Sequence, residues 1–369
     1  MIIGIDITIA SYGRGVANYI IKLLENFLKI SPENEYRAFY NSFRSQAICF
    51  DTKRMKVVTT RIPQRILKFM WLDLGFPKIE SFLGLIDLFH SPAHSPVYAI
   101  CPPANNWIVT VHDLFTFKLN YPKRTRQEEW KILLRMAKKA AHVIAVSEST
   151  KKDLLELIPS LESRVSVIHE GVDEIFQYNP NHQLILNKYN IDTPYILYVG
   201  SAGPNKNLLT LIEAFSQINK LTNHNLVLVG DVEWRYKPLM DMVKKKRLQK
   251  RVQFTGFVPK GDLPAIYSGA DVFVCPSLYE GFGLTVLEAM ACKTPVVASN
   301  ISSIPEIVND SAILFDPYSV DDLNHSLLQI LGSETLRDEL RAKGSQRVKK
   351  FSWTRAAKQT LELYKNLAN

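Results

Sequence analysis

Cysteine is scarce in this sequence, long apolar runs are missing, and no Asp-x-Asp motif occurs. The four cysteines are scattered without paired spacing, which argues against a disulfide framework or a zinc site and favours a reducing compartment. No run of about 18 apolar residues exists, so we expect no membrane-spanning helix. The first residues, Met1 to Asp6, have the pattern of a strand rather than of a signal peptide. Without an Asp-x-Asp motif, we expect no metal ion that bridges a phosphate.

The composition indicates a globular protein with more than one hydrophobic core. Apolar residues make up 46% of the chain and charged residues 22%, which is ordinary for a folded protein in water. A length of 369 residues exceeds what a single core usually supports, so we expect two domains.

Positive charge is concentrated in the first half of the chain, within a net charge of +9. Nine Lys/Arg lie between Arg37 and Lys78, and eight lie between Lys118 and Lys139. Apolar and aromatic side chains interleave with the first group around residues 66–72. Such a segment either lies on an anionic membrane surface or covers the domain core as a solvated helix, and the sequence leaves both possibilities open. No nucleic-acid-binding module accompanies the charge, so we expect no nucleic acid partner.

Short apolar strands alternate with amphipathic helices along the chain. This alternation predicts right-handed βαβ units and parallel sheets. Because the pattern occurs twice, we expect an α/β protein with two Rossmann-like domains whose ligands bind beyond the carboxyl ends of the strands. The predicted strands are Ile2–Ile7, Ala38–Tyr40, Val57–Thr60, Asp87–His90, Trp107–His112, His142–Ser147 and Arg164–Ile168, followed by Tyr195–Val199, Asn225–Val229, Val252–Phe254, Asp271–Cys275, Pro295–Ala298 and Ala312–Phe315.

A polar stretch over residues 177–194 is the predicted linker between the two domains. We therefore place an N-terminal Rossmann-like domain at residues 1–178 and a C-terminal one at residues 179–350. The tail over residues 351–369 has the period of a single amphipathic helix.

The most informative segment is Glu280-Gly-Phe-Gly-Leu-Thr-Val-Leu-Glu288, which follows a predicted strand. A helix that begins at glycines presents unpaired N–H groups and the positive end of its dipole to a phosphate. The carboxylates of Glu288 and Glu280 can accept hydrogen bonds from hydroxyls, as on a ribose or another polyol. The spacing alone also fits a glycine turn between two surface glutamates. The ligand hypothesis is a nucleotide diphosphate that carries a sugar, bound at Gly281, Phe282, Gly283, Leu284, Thr285 and Glu288.

This segment resembles the Glu-x7-Glu signature of retaining glycosyltransferases of the GT-B fold, especially family four. Pro276-Ser277, Glu288-Ala-Met-Ala291, Thr294-Pro-Val-Val-Ala298 and Ile304-Pro-Glu-Ile307 also fit that family. The resemblance implies two Rossmann-like domains that face a central cleft. It places the acceptor on the N-terminal domain and the nucleotide sugar on the C-terminal domain, and it makes the tail a helix that crosses back to the N-terminal domain. It also implies that neither a cofactor nor a divalent ion is needed.

The resemblance assigns roles to residues of the first half. His112, in Val-His-Asp-Leu at the end of a strand, matches the family's histidine beside the donor sugar, whereas a buried core histidine is the alternative. His112 and Glu280 are the expected catalytic residues. Gly13, Arg14 and Gly15 match a glycine loop near the donor phosphate or sugar, with Arg14 as counter-charge, and a simple glycine turn is the alternative.

Further donor contacts follow from the second half. In similar enzymes an arginine and a lysine bind the pyrophosphate from the loop after the first strand of the C-terminal domain, here Tyr195–Val199. Lys206 matches the lysine, whereas Ser201 stands at the arginine position, so that Arg14 or another base compensates or donor binding differs. Phe257 and Val258 are expected to line the nucleotide base, and a core position is the alternative for Phe257.

These assignments predict a retaining glycosyltransferase that moves a sugar from a nucleotide diphosphate sugar to an acceptor hydroxyl. No nucleophile stands out, so we expect front-face attack with the departing phosphate as base. The loop around Lys206 and the Val-His-Asp-Leu motif look like those of bacterial mannosyltransferases of surface polysaccharide assembly, which makes GDP-mannose the first donor candidate and UDP-sugars its rivals. A GT-B sugar epimerase or phosphorylase and a non-catalytic nucleotide-sugar-binding protein are the competing functions.

The expected acceptor is a glycan or a lipid-linked glycan, bound near the basic and aromatic residues from Arg61 to Lys78. If those residues dock on an anionic membrane, the acceptor is lipid-linked. We expect a cytoplasmic protein, with peripheral attachment to the inner face of the membrane as the accompanying hypothesis.

Overall fold

The computed structural model describes residues 1–12, 15–42, 55–94, 104–119, 121–230 and 237–368. It divides the chain into two compact units. Unit 1 comprises Met1–Gly171 and Trp353–Asn369, and unit 2 comprises Val172–Ser352.

Within the described residues, the sheet of unit 1 has seven strands, namely β1 (Ile2–Asp6), β2 (Glu35–Asn41), β3 (Lys56–Thr60), β4 (Leu88–Ser91), β5 (Trp107–Val111), β6 (His142–Ala145) and β7 (Val165–Val167). All pairings are parallel, in the order β3-β2-β1-β4-β5-β6-β7. Along β5, Trp107 and Val109 lie in one apolar layer and Ile108 lies in the other. Both faces of the sheet are therefore buried, as in a doubly wound fold.

The helices of unit 1 that precede unit 2 cover this sheet. Helix α1 turns Tyr19, Leu23 and Phe27 towards the core, at a spacing that places them on one helix face. The helices are α1 (Gly15–Ile30), α2 (Gln64–Lys68), α3 (Glu80–Leu83), α4 (Phe115–Lys118), α5 (Lys123–Lys139) and α6 (Glu148–Leu157).

The described part of unit 2 has six strands, namely β8 (Tyr195–Val199), β9 (Asn225–Val229), β10 (Val252–Gly256), β11 (Val272–Cys275), β12 (Val296–Ser299) and β13 (Ile313–Phe315). They pair in parallel in the order β10-β9-β8-β11-β12-β13. Its helices are α7 (His182–Lys188), α8 (Leu208–Ile218), α9 (Lys237–Lys245), α10 (Leu263–Ser268), α11 (Leu284–Ala291), α12 (Ile304–Val308), α13 (Val320–Leu331) and α14 (Glu334–Val348). Both strand orders are Rossmann orders, which confirms the predicted α/β class with two parallel-sheet domains.

The last helix, α15 (Trp353–Ala368), belongs to unit 1. It packs against α1 with a buried stripe that includes Trp353, Ala357, Leu361 and Tyr364. Thr354 donates a hydrogen bond to the amide oxygen of Asn26, at 2.8 Å. Helix α15 therefore belongs to the same hydrophobic core as β1 and α1.

All thirteen predicted strands are present, whereas the polar linker is not a loose connection. The segment 177–194 contains α7, whose Leu186 is buried in the core of unit 2. The second unit also begins at Val172 rather than at the expected residue 179, because Phe176 is buried in the same core and Val172 forms a β-bridge with Ser352. Helix α7 was not predicted because it buries only a narrow apolar stripe among surface residues.

The basic, aromatic segment of the first half combines a core-covering face with an exposed apolar one. Helix α2 continues into a π-helical turn over Phe69–Leu74. Leu67 and Trp71 are buried and cover the core, whereas Phe69 and Leu74 are exposed. In the described part of the chain, no helix is long and apolar enough to cross a bilayer.

Candidate active site

The order of strands in unit 2 reverses between β8 and β11, and the loops that follow these strands meet there. Ligands of open parallel sheets bind at such a switch point. Lys206 lies in the loop after β8 and Glu280 in the loop after β11, and their Nζ and Oε1 atoms are 2.6 Å apart. Ser277 donates a second hydrogen bond to the same oxygen, also at 2.6 Å. The fold therefore brings Lys206, predicted to bind the phosphate, and Glu280, predicted to bind the sugar, together in one partly buried ion pair.

The backbone around Glu280 is held by neighbouring loops. Its N–H donates to Ser302 Oγ at 2.9 Å, and the Ser303 hydroxyl is within hydrogen-bond distance of the carbonyl oxygens of Glu280 and Phe282, at 2.9 and 2.8 Å. The Leu278 N–H donates to the carbonyl of Asn205 at 2.7 Å. These bonds preorganise the turn before any ligand is bound.

Gly283 forms the start of α11 in a conformation that favours glycine. Its φ is +110°, and an added Cβ would lie 3.0 Å from Ile304 Cδ1. Its carbonyl accepts the N–H groups of Val286 and Leu287, at 3.1 and 3.3 Å. The amides of residues 283–285 precede these bonds and have no acceptor within the helix, so they are the donors that a phosphate can use.

The remaining residues of the turn differ in what they expose. Phe282 is buried and packs edge-on against Phe351, with ring centroids 5.8 Å apart. Its side chain thus anchors the turn, and only its backbone is left for a donor. Gly281, Leu284 and Thr285 are partly exposed.

Glu288 lies on α11 beside a buried tyrosine. Its Oε2 accepts the Tyr267 hydroxyl at 3.0 Å. Burial raises the pKa of Glu288 to about 7, against the opposing effects of the Tyr267 hydrogen bond and the Lys260 charge. Lys260 is itself paired with Asp173 at 2.6 Å. Near neutral pH this carboxyl exists in both protonation states, and only the ionised state accepts hydrogen bonds from two hydroxyls.

The proposed base-binding and loop residues lie at the same carboxyl edge of the sheet. Phe257, after β10, is 79% exposed and is not a core residue, whereas Val258 is only 5% exposed and belongs to the core. Ser201, after β8, is exposed, and its carbonyl accepts a hydrogen bond from the Tyr198 hydroxyl at 2.9 Å.

Gly230 was not predicted from the sequence, and a Cβ there would lie 2.2 Å from the Gly200 carbonyl oxygen. A glycine directly after an apolar strand was the available signal.

His112 follows β5 in unit 1 and is buried with both ring nitrogens engaged. Nε2 donates to the Pro92 carbonyl at 2.8 Å, and Nδ1 lies 2.9 Å from Glu170 Oε1. Burial alone would lower the pKa of His112, but the hydrogen bond and charge of Glu170 outweigh it and raise that pKa. His112 is therefore stabilised as a cation that donates from both nitrogens. Glu170 was not predicted from the sequence; the available signal was a carboxylate three residues after the end of β7.

A buried hydrogen-bond chain leads from α15 towards His112. The Tyr364 hydroxyl shares a hydrogen bond of 2.5 Å with His90 Nδ1, and His90 Nε2 lies 2.8 Å from Thr110 Oγ1. Burial, and then the charge of His112, lower the pKa of His90 to about 3, so His90 is neutral. Tyr19 shares a hydrogen bond of 3.1 Å with Thr110 and packs edge-on against the His112 ring, at 4.7 Å. These contacts connect α15 to Tyr19, which packs against the His112 ring.

The sequence assigned the glycine segment of Gly13, Arg14 and Gly15 to the donor. Gly13 and Arg14 lie outside the described residues, and Gly15 is the first residue of α1. Within the described ranges, no group of three or more His, Cys, Asp or Glu side chains could hold a metal ion. Cys275 and Cys292 are buried free thiols.

Two family models match this chain. The model described as Glycosyl transferases group 1 matches residues 183–347, and the model described as Glycosyltransferase Family 4 matches residues 32–175. The O-antigen chain mannosyltransferase B of Escherichia coli is 33% identical over 282 residues, which cover 74% of this chain and 74% of that relative.

Solved structures share the whole fold at low identity. The sucrose-phosphate synthase of Thermosynechococcus elongatus has a TM-score of 0.80 and 23% identity, with 100% of this chain and 99% of that chain covered. Anabaena HepE in complex with UDP-glucose has a TM-score of 0.76 and 17% identity, with 99% of each chain covered. The fold is that of the GT-B enzymes. This chain belongs to the family four, group 1 glycosyltransferases, an enzyme class that uses no cofactor besides its nucleotide sugar.

Proposed function

We propose that this glycosyltransferase transfers mannose from GDP-mannose to an acceptor hydroxyl, with retention of anomeric configuration, in polysaccharide or glycolipid assembly. The observation that carries the proposal is the Lys206–Glu280 pair at the switch point, beside the glycine start of α11. The mannosyl specificity is supported by the 33% identity to an O-antigen chain mannosyltransferase.

In the proposed donor complex, unit 2 binds the nucleotide. The amides of Gly283, Leu284 and Thr285 bind the diphosphate, and Lys206 supplies a point charge to it. Glu288 accepts hydrogen bonds from the ribose hydroxyls, and Phe257 stacks on the base. Glu280 accepts hydrogen bonds from the sugar hydroxyls once Lys206 has moved from Glu280 to the phosphate. Further proposed donor contacts are the backbone at Val258, Gly281 and Phe282, the Ser201 hydroxyl, and the loop of Gly13, Arg14 and Gly15.

The proposed reaction breaks the bond between the anomeric carbon and the diphosphate oxygen and forms a bond to the acceptor oxygen on the same face. The departing phosphate takes the acceptor proton, so no protein nucleophile is consumed. Its growing negative charge is stabilised by amide donors that are already oriented. His112 acts on the sugar by exchanging the Pro92 carbonyl for a sugar hydroxyl as the acceptor of its Nε2–H.

A UDP-sugar is the second donor candidate, because the structurally similar HepE was solved with UDP-glucose. Thermal shift with GDP, UDP and the corresponding nucleotide sugars separates the two, since the nucleotide that binds more tightly raises the melting temperature more. We expect the larger shift from GDP. A larger shift from UDP assigns the enzyme to UDP-sugars.

The catalytic proposal is tested by release of nucleoside diphosphate from GDP-mannose. We expect Glu280→Ala and His112→Ala each to lower kcat at least roughly tenfold. Glu213→Ala is the matched control, because Glu213 forms a similar 2.6 Å pair with Lys246 away from the switch point. An epimerase would give an isomeric nucleotide sugar without release, and a phosphorylase would require inorganic phosphate. Tight binding without any turnover would leave only a binding protein.

We further propose that the enzyme attaches peripherally to an anionic membrane surface and that its acceptor is lipid-linked. The support is the basic segment from Arg61 to Lys78 in unit 1, in which Phe69, Leu74 and Phe76 are exposed. Transfer to a lipid-linked acceptor presented in vesicles, compared with the same glycan in solution, tests this proposal.

A further inference from the structure

A cavity in unit 1 lies at the opposite end of β5 from His112. It has a volume of about 620 Å³ and is bounded by the end of the π-helical turn, the residues just before β5 and the last turns of α5. These segments lie at the amino end of β5, whereas His112 follows its carboxyl end. The cavity is therefore not part of the site around His112. We call it the basic pocket.

The basic pocket carries a strong excess of positive charge. Among the described residues that line it, Asp73 is the one carboxylate, and five are cations, namely Lys78, Lys131, Arg135, Lys138 and Lys139. Asp73 is paired with Lys131 at 3.1 Å. Lys138 and Lys139 are exposed, and within the described residues neither has an ion pair. A concave surface lined by one sign of charge attracts ligands of the opposite sign.

Stabilisation of the α5 dipole does not account for the whole arrangement. Lys138 and Lys139 lie in the last turn of α5, where cations are favourable. Lys78, however, comes from a different segment and reaches Asn105 at 2.9 Å across the pocket. Arg135 lies 5.8 Å from the centre of the Trp107 ring, which forms part of the wall. Separate segments thus bring cations to one concavity, as in a site for an anion.

The rim of the basic pocket is apolar and exposed. Leu74 lines the pocket and is 61% exposed, and Phe69 and Phe76, close in sequence, are 56% and 69% exposed. Leu134 of α5 lines the other side and is also exposed. A small soluble anion needs no such rim, whereas the interface of an anionic bilayer offers both phosphate groups and an apolar layer.

We propose that the basic pocket binds the phosphate of an anionic phospholipid headgroup, while Phe69, Leu74 and Phe76 enter the boundary of the acyl layer. This inference rests on the membrane attachment proposed above and adds a defined headgroup site to it. Attachment through this surface keeps the enzyme on the bilayer that holds the proposed lipid-linked acceptor.

The test is sedimentation of the full-length protein with vesicles of phosphatidylcholine, alone or mixed with phosphatidylglycerol. We expect the double variant Lys138→Gln/Lys139→Gln to bind phosphatidylglycerol vesicles roughly tenfold or more weakly than the unchanged protein. The matched control is Lys244→Gln/Lys245→Gln, which removes two exposed lysines from the last turn of α9. Phe69→Ser/Phe76→Ser is expected to weaken binding to both vesicle types.

Three outcomes would overturn the inference. The first is no binding of the unchanged protein to either vesicle type, and the second is equal loss in the two lysine variants, which would indicate diffuse attraction. The third is a melting-temperature increase by inorganic phosphate that depends on Lys138 and Lys139 without vesicle binding, which would assign the pocket to a soluble phosphate. Release of GDP from GDP-mannose in solution is measured in parallel. It should be unchanged in the lysine variants, so that a failed transferase proposal is distinguishable from a failed headgroup site.

Discussion

Lys206 Nζ and Glu280 Oε1 lie 2.6 Å apart, although the two residues are 74 positions apart in the chain. The loop after β8 supplies the cation and the loop after β11 supplies the carboxylate. In the absence of a donor each neutralises the other. A bound diphosphate would compete with Glu280 for the ammonium group, and this competition would free Glu280 for sugar hydroxyls.

Lys206→Met should weaken binding of GDP. Loss of one charge-assisted hydrogen bond corresponds to about 2 kcal/mol, or roughly 30-fold in Kd. Isothermal titration calorimetry measures the change, and Lys246→Met, which breaks the similar pair with Glu213, should leave the Kd of GDP unchanged. Equal Kd values for the two variants would remove Lys206 from the phosphate site.

Gly283→Ala should both destabilise unit 2 and reduce nucleotide binding. The φ of +110° and the 3.0 Å approach to Ile304 Cδ1 together cost about 1–3 kcal/mol. The melting temperature with and without GDP measures both effects. Gly261→Ala is the control, because an added Cβ there meets nothing within 4 Å. A full GDP-induced shift in Gly283→Ala would show that the start of α11 does not hold the phosphate.

Glu288 should make stability and donor binding depend on pH in opposite directions. Its pKa is raised from 4.5 to about 7, so its contribution to stability is present below pH 4.5 and is lost as pH rises through 7. Glu288→Gln should therefore be more stable than the unchanged protein at pH 8, by up to roughly 3 kcal/mol, with little difference at pH 4.5.

Binding of GDP by the unchanged protein should strengthen as pH rises through 7, because only the ionised carboxyl accepts both ribose hydroxyls. In Glu288→Gln this pH dependence should disappear. Thermal unfolding and GDP titrations at pH 5, 7 and 8 (roughly two units below to one above that pKa) measure both effects. A parallel pH dependence in the two proteins would contradict the assignment.

Glu170→Gln should lower the pKa of His112. The substitution keeps a hydrogen-bond acceptor for Nδ1 but removes the charge that offsets burial. The raised pKa of His112 means that the charged pair contributes stability that is lost as pH rises through that pKa, and Glu170→Gln should lose this pH-dependent part. NMR titration of the His112 ring and the pH profile of kcat/KM should both move to lower pH. An unmoved His112 titration would show that Glu170 does not control the imidazolium.

Tyr364→Phe should lower kcat although Tyr364 lies on the last helix. The variant leaves His90 Nδ1 without its hydroxyl partner in the core, which costs about 1–3 kcal/mol. Tyr36→Phe is the matched control, since it removes a buried hydroxyl that bonds Ser31 in the same core layer. Both variants should melt lower, but only Tyr364→Phe should change kcat, with KM little affected. Equal kcat values would confine the hydrogen-bond chain to stability.

Strand positions were predictable because most strands are short apolar runs with polar residues on either side, which is the pattern that burial on both faces of a sheet produces. Helix α7 was not, because it lies on the surface and turns few residues inward. The segment around Phe69 was ambiguous for a related reason. Helix α2 and the π-helical turn bury Leu67 and Trp71 and expose Phe69 and Leu74. The sequence pattern alone does not show which apolar side chains face the solvent.

The glycine start of α11 and its two flanking carboxylates could be predicted from the sequence alone. Helix starts and strand ends are set by residues that are neighbours along the chain. Sheet order decided the rest. It brought Lys206 to Glu280 across 74 positions and Glu170 to His112 across 58. It also set the surroundings that raise the pKa of both Glu288 and His112, by desolvation at Glu288 and by the charge and hydrogen bond of Glu170 at His112. Charge state depends on surroundings in space, and those surroundings exist only once distant strands have paired.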